Sequence, residues 1–192
     1  HSDLSVINGN RPRPLPMALG HEASGEVIKV GKAVTRVSEG DHVVCTFIPS
    51  CGKCIPCKEG RPALCENGAI SNEKGEMLEG GVRLSNDEGK VYHHLGISGF
   101  AEYSVVSENS IVKIDKKIPF ERAAAFGCAI ITGIGAVVNT AQIRSGSNVA
   151  VVGLGGIGLN AIIGAKLAGA NEIIALDINE DKFELAKQFG AT

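Results

Sequence analysis

Four cysteines stand in the order Cys51-Gly-Lys-Cys54-Ile-Pro-Cys57 and then Cys65, a C-x2-C-x2-C-x7-C spacing. Two-residue spacers let successive thiolates converge on one ion, and the Gly and Pro between them suit the tight turns this requires. Four thiolates make a closed tetrahedral shell, the structural kind of zinc site. Iron–sulfur clusters use related spacings, but the Pro that usually follows the last cysteine is missing, since Glu66 follows Cys65. Zinc is the expected metal. Cys45, next to Val43-Val44, reads as a small buried apolar residue rather than a ligand.

A second constellation lies near the end of the chain. Gly153-Leu-Gly155-Gly156-Ile-Gly158 follows the apolar run Val149–Val152 and opens a helical pattern. That is the setting a dinucleotide fingerprint needs. The first Gly allows the sharp turn, the second lets backbone approach a pyrophosphate, and the third lets helix pack on strand. The helix N-terminus offers free N–H groups to the phosphates. Asp177 ends the next apolar run, where an acid accepts hydrogen bonds from the adenosine ribose and repels a 2′-phosphate. NAD is therefore expected over NADP.

His1-Ser2-Asp3, Gly20-His21-Glu22, the Cys51–Cys65 cluster, Phe100-Ala-Glu-Tyr103, Gly127-Cys128 and Gly153–Gly158 occur in this order over essentially the whole chain. Together they resemble the zinc-dependent medium-chain alcohol dehydrogenases. The resemblance implies an all-β, GroES-like β-barrel catalytic domain followed by the first part of an α/β Rossmann domain, a doubly wound parallel sheet. It also implies two zinc ions per chain in the complete protein, with NAD as hydride acceptor. His21 and Cys128 would hold the catalytic zinc, with Glu22 beside it as a transient ligand. Relatives take a further ligand from a Cys immediately before the His-Ser-Asp motif, which would lie just ahead of His1.

The same resemblance gives other residues their expected roles. Ser2 passes the proton outward, and Asp3 orients His21. His1 contacts the cofactor pyrophosphate, Lys182 the adenosine ribose, and Thr132 lies near the nicotinamide. Phe47, His94 and Leu95 fall at substrate-pocket positions. His94 stands where relatives carry larger apolar side chains, so it either makes the pocket more polar or points into the barrel. Many relatives continue the proton relay with a His at the position of Ser5. Tyr92-His-His-Leu-Gly and Asp177-Ile-Asn-Glu-Asp-Lys182 are similar to the branch that includes glutathione-dependent formaldehyde dehydrogenases. That branch holds its thiol adduct with acidic residues in an early loop, whereas this loop reads Ile7-Asn-Gly-Asn-Arg11-Pro-Arg13-Pro. A general alcohol is the expected substrate, oxidised to an aldehyde or ketone, with the thiol adduct as the alternative.

These residues need elements to hold them. Short runs over 24–30, 41–45, 100–106 and 110–114 alternate or are apolar between Gly, Pro and Asp, and predict strands of a small barrel. Residues 71–89 are polar and contain Gly80-Gly81, which predicts a surface loop or hairpin. Beyond Pro119 the period changes. Helices are expected over 120–125, 130–141, 157–168 and 180–189, and strands over 147–152 and 172–176. The expected organisation is a catalytic zinc domain over 1–118 and connecting helices carrying Cys128 over 119–146. The start of the NAD-binding domain follows over 147–192.

The chain starts at His1 and stops after Gly190-Ala-Thr192, and neither end reads as a natural terminus. A Rossmann sheet also needs later strands to bind nicotinamide. The 192-residue piece is thus expected to be inactive and poorly stable, while the complete protein is active. A formal net charge of −2 leaves no basic face for nucleic acid, and no apolar run reaches the ~20 residues that cross a bilayer. The expected setting is the cytoplasm, as a homodimer or homotetramer acting on small molecules. A zinc module that only binds a partner is the reading of another class, and it gives the Gly153–Gly158 turn no purpose.

Overall fold

The computed structural model describes all 192 residues, His1–Thr192, and they fall into two compact units, His1–Gly127 and Cys128–Thr192. The division runs through the stretch 119–146, which the sequence sets apart as connecting helices.

The first unit opens with α1 (Ser2–Ile7) and β1 (Met17–Ala18), then β2 (Ser24–Glu26) and β3 (His42–Cys45). Helix α2 (Ile55–Lys58) and α3 (Glu66–Lys74) follow, then β4 (Leu84–Asn86), β5 (Gly89–His93), β6 (Ile111–Lys113) and α4 (Phe120–Ala123). The strands form two three-stranded sheets, β1-β5-β4 and β2-β3-β6. In the first, β1 runs parallel to β5 with Met17 opposite Tyr92 and Ala18 opposite His93. In the second, all neighbours are antiparallel, with Val43 between Gly25 and Lys113. Val37, Val43, Cys45, Ile97 and Ile111 form the buried core beneath them.

The polar stretch 71–89 is more ordered than its composition suggests. Its first residues complete α3, whose start is capped by the Cys65 sulfur accepting the Gly68 N–H. Gly75, in the left-handed region, ends that helix, with Glu66 in its first turn and Lys74 in its last. Residues 84–93 then make the hairpin of β4 and β5.

One expected strand is absent. Residues 100–106 take no ladder partner, and Phe100 and Tyr103 are 74% and 73% exposed. A strand needs a neighbour to take its backbone bonds, and here only Phe100 donates, to the Leu19 carbonyl. A short β-run between turn residues suggested a strand here, but it carries no information on the partner.

The second unit contains α5 (Ala129–Gly135), which widens into a π-helical turn over Ala136–Ala141, and then β7 (Asn148–Val152), α6 (Gly156–Leu167), β8 (Glu172–Leu176) and α7 (Phe183–Phe189). Strands β7 and β8 pair in parallel from Asn148 opposite Glu172 to Val152 opposite Leu176. This is the βαβα order expected from the sequence. Leu154, Ile162, Ala165, Ile173 and Ala186 are its most buried apolar residues. No single helix in the chain is long and apolar enough to cross a membrane.

Candidate metal centres and dinucleotide turn

The four cysteines of the 51–65 loop converge: their sulfurs all lie within 4.8 Å of one another, and none is in a disulfide. Backbone N–H groups are aimed at several of these sulfurs. Cys51 Sγ accepts the N–H groups of Lys53 at 3.5 Å and Cys54 at 3.3 Å, and the Asn67 side-chain amide at 3.2 Å. Cys65 Sγ accepts the N–H groups of Cys51 and Gly68, both at 3.3 Å. Led by the Lys53 N–H, these bonds pull the Cys51 thiol down to about 6, while the Cys57 N–H lowers Cys54. Burial pushes Cys57 up to about 12. A cradle of soft sulfur donors with N–H groups aimed at them fits a divalent zinc ion, which would neutralise the crowded charge and keep every sulfur ionised. Asn67, two residues after the last cysteine, is a contributor that spacing rules do not flag.

A second cluster is built on α1 and on the segments flanking β1 and β5. Asp3, near the start of α1, sends Oδ2 to within 2.6 Å of His21 Nδ1, while Oδ1 accepts the Gly20 N–H at 2.6 Å. His21 is 6% exposed. Burial alone would raise the Asp3 carboxyl, but the Gly20 and His21 bonds outweigh it and hold the group below its ordinary value. Because Asp3 occupies Nδ1, Nε2 is the ring atom left to His21 for a metal, the arrangement that fixes tautomer and ring orientation in metal-binding histidines. Gly20 is required here. Its φ is +95°, and a Cβ would collide with the Phe100 backbone nitrogen. The sequence marks Gly20 only as the neighbour of His21, whereas the fold makes its N–H the anchor of Asp3.

His94 joins the same cluster. Its side chain is 1% exposed, with Nε2 3.6 Å from Asp3 Oδ1 and its ring edge-on to His21 at 5.8 Å. The ring faces Asp3 and His21. Leu95 is also buried, and Phe47 is half-buried with its carbonyl taken by the Asn72 amide. Ser2 is half-buried beside Asp3 on α1, while His1 and Glu22 are exposed. Gly127 ends this unit, packed so tightly on the Cys45 carbonyl that no side chain fits. Cys128, the next residue, stands half-buried at the N-cap of α5, and its carbonyl accepts the Thr132 N–H at 3.0 Å.

The glycine turn has the form a dinucleotide needs. Gly153 has φ +90°, and Gly155 caps α6, which begins at Gly156 with no acidic residue in its first turn. A Cβ on Gly158 would run into the Gly153 carbonyl oxygen, so the helix can lie this close to the turn only with Gly there. Asp177 accepts from Leu154 N–H at 2.6 Å, Asn179 N–H at 2.9 Å and Lys182 Nζ at 2.9 Å. Led by the Leu154 bond, these partners hold its carboxyl down at about 2. The residues expected to contact cofactor, apart from His1, lie in the second unit, where Asp177 links the turn to Lys182. A group with a pyrophosphate and an adenosine ribose fits this bare helix end and fixed carboxylate.

Comparison with known proteins agrees with these features. Residues 1–116 match the model of the alcohol dehydrogenase GroES-like domain, and residues 156–192 match that of zinc-binding dehydrogenases. The chain is 46% identical to an alcohol dehydrogenase class-3 of Drosophila melanogaster, over 100% of the chain and 51% of the relative. It is 47% identical to an S-(hydroxymethyl)glutathione dehydrogenase of Synechocystis, over 100% and 52%. The chain thus spans about half the length of the curated relatives it matches. Among solved structures, an alcohol dehydrogenase zinc-binding domain protein from Burkholderia ambifaria aligns with TM-score 0.94 at 39% identity, over 100% of this chain and 52% of that one. A benzyl alcohol dehydrogenase from Acinetobacter calcoaceticus aligns with TM-score 0.88 at 40% identity, over 100% and 52%.

Proposed function

Because the chain belongs to the alcohol dehydrogenase family with a GroES-like domain, we propose that the full-length protein is a zinc-dependent oxidoreductase that moves hydride from an alcohol to NAD. The observation that carries this reading is the part-buried Asp3–His21 pair, which leaves His21 Nε2 for a metal, in a chain that also carries the Gly153–Gly158 turn. Bound zinc would supply Lewis acidity to the substrate oxygen, and bound NAD an acceptor for hydride.

The chain's own residues supply the rest. His21 holds the catalytic ion, with Cys128 as the ligand assigned by the family motif and Glu22 as its transient companion. Asp3 fixes the His21 tautomer, and the Ser2 hydroxyl receives the proton lost by the alcohol. Cys51, Cys54, Cys57 and Cys65 hold the structural ion. Gly153, Gly155, Gly156 and Gly158 seat the pyrophosphate, with His1 contributing a contact. Asp177 and Lys182 take the adenosine ribose, and Thr132 lies by the nicotinamide. Phe47, His94 and Leu95 shape the substrate side. The protein works in the cytoplasm as a homodimer or homotetramer.

A general alcohol is the first substrate reading. A thiol adduct of formaldehyde is the second, favoured by the two curated relatives, a class-3 alcohol dehydrogenase and an S-(hydroxymethyl)glutathione dehydrogenase. The full-length protein should contain two zinc ions per chain and form NADH with primary or secondary alcohols. NADH formed only from formaldehyde plus glutathione selects the second reading. One zinc and no turnover with any of these overturns both, in favour of a zinc-binding interaction module.

A further inference from the structure

The His94 side chain is 1% exposed, yet neither ring nitrogen has a hydrogen-bond partner. Burying an imidazole in this way is costly, and most buried polar groups avoid it. Its backbone is firmly placed, since the His94 N–H reaches both the Ala18 carbonyl at 3.2 Å and Ser98 Oγ at 3.1 Å. Only the ring remains unsatisfied. The acceptor facing it is Asp3 Oδ1, at 3.6 Å from Nε2, a few tenths of an ångström beyond hydrogen-bond range. An imidazole ring, neutral or protonated, carries at least one N–H, and Asp3 is the acceptor placed to receive it.

We propose that His94 is a positioning residue: its Nε2–H donates to Asp3 Oδ1, so that one carboxylate is shared between two imidazoles and grips His21 less tightly. This rests on the reading of His21 as a metal ligand. A carboxylate that accepts a second N–H has less charge to offer the first. His21 Nδ1–H is then less polarised, and Nε2 is a weaker donor to the ion it holds. His94 therefore loosens the ion and leaves it more electrophilic, the opposite of what a packing residue in that place would do.

The test uses the full-length protein loaded with cadmium, whose 113Cd resonance separates a four-thiolate site from one with a nitrogen ligand. Affinity at the nitrogen-containing site is measured by chelator competition in the wild type, His94→Phe and His94→Gln. Loss of the donor in His94→Phe should tighten binding roughly three- to tenfold, less than the ~10–100-fold commanded by direct partners of metal-bound histidines. The His21 Nδ1–H proton resonance should move downfield. His94→Gln, whose amide reaches the same oxygen, should return both toward wild type. Should His94→Phe not fold, His94→Leu also lacks a donor and carries the same expectation. Unchanged affinity in the apolar variant, weaker binding, or tightening that Gln does not reverse overturns the inference. A wild type with only the four-thiolate resonance removes the reading of His21 as a ligand, and this inference with it.

Discussion

Asp177 Oδ2 accepts the Leu154 backbone N–H at 2.6 Å, so the residue that follows β8 also closes the glycine turn after β7. The carboxylate at the ribose position is thus part of the turn itself, tied to it in the same βαβ unit that places it there. Its carboxyl is held at about 2, below the ordinary 3.8. A depressed carboxyl contributes stability that is fully present above its unfolded value and is lost as pH falls through its folded one. The contribution of Asp177 should therefore stand above pH ~4 and disappear between about pH 4 and pH 2. Acid unfolding of the full-length protein should become less steep in that window in Asp177→Asn. The same variant should lose roughly ten- to hundredfold in kcat/KM with NAD, the worth of hydrogen bonds to a charged group, and lose less with NADP. An unchanged preference for NAD over NADP would remove Asp177 from cofactor selection.

Gly158→Ala tests the packing that brings α6 to the turn. The added methyl meets the Gly153 carbonyl oxygen, a backbone atom that cannot swing aside. Overpacking of this kind costs about 1–3 kcal/mol. The midpoint of urea unfolding should fall accordingly, and NAD should bind more weakly because the turn opens. Weaker NAD binding with no loss of stability would point to a local steric block instead.

Removal of the structural metal should be felt as a loss of fold. Cys51, Cys54, Cys57 and Cys65, whose sulfurs lie within 4.8 Å of one another, sit on a loop that contains only short helical turns, α2 and Pro62–Leu64. Cys54→Ser should lower zinc content by one ion per chain and lower the midpoint of thermal unfolding, because metal binding at such a site contributes to folding. Metal analysis and thermal unfolding together check this, and retention of both ions would contradict it.

Asp3→Asn should separate orientation from charge. The amide can still accept the Gly20 N–H, but it cannot stabilise positive charge on His21 as a carboxylate does. Metal affinity at His21 should fall ~10–100-fold, as for other carboxylates that orient metal-bound histidines. The four-thiolate ion, held by other residues, should remain bound. A loss confined to the four-thiolate site would refute the assignment.

The convergence of the four cysteines and the glycine turn were legible because both are local. Two-residue spacers must bring thiolates together, and a Gly run between an apolar strand and a helix must form a tight turn. The strands His42–Cys45 and Glu172–Leu176 and helix α6 fell where periodicity set them, within a residue at either end. Helix α3 did not, because it is stabilised by its caps, Cys65 and Gly75, rather than by an apolar stripe.

The sequence by itself determined which residues are able to ligate, where the α/β tail begins, and that zinc and a dinucleotide are the groups to expect, since each depends on residue type and short spacing. Tertiary structure alone decided that Gly20, 17 residues from Asp3, supplies the N–H that anchors its carboxylate. It also turned His94 toward Asp3 and left residues 100–106 without a strand partner. These outcomes depend on which distant segments pack together, and a pattern read along one chain contains period and propensity but not the identity of the neighbour.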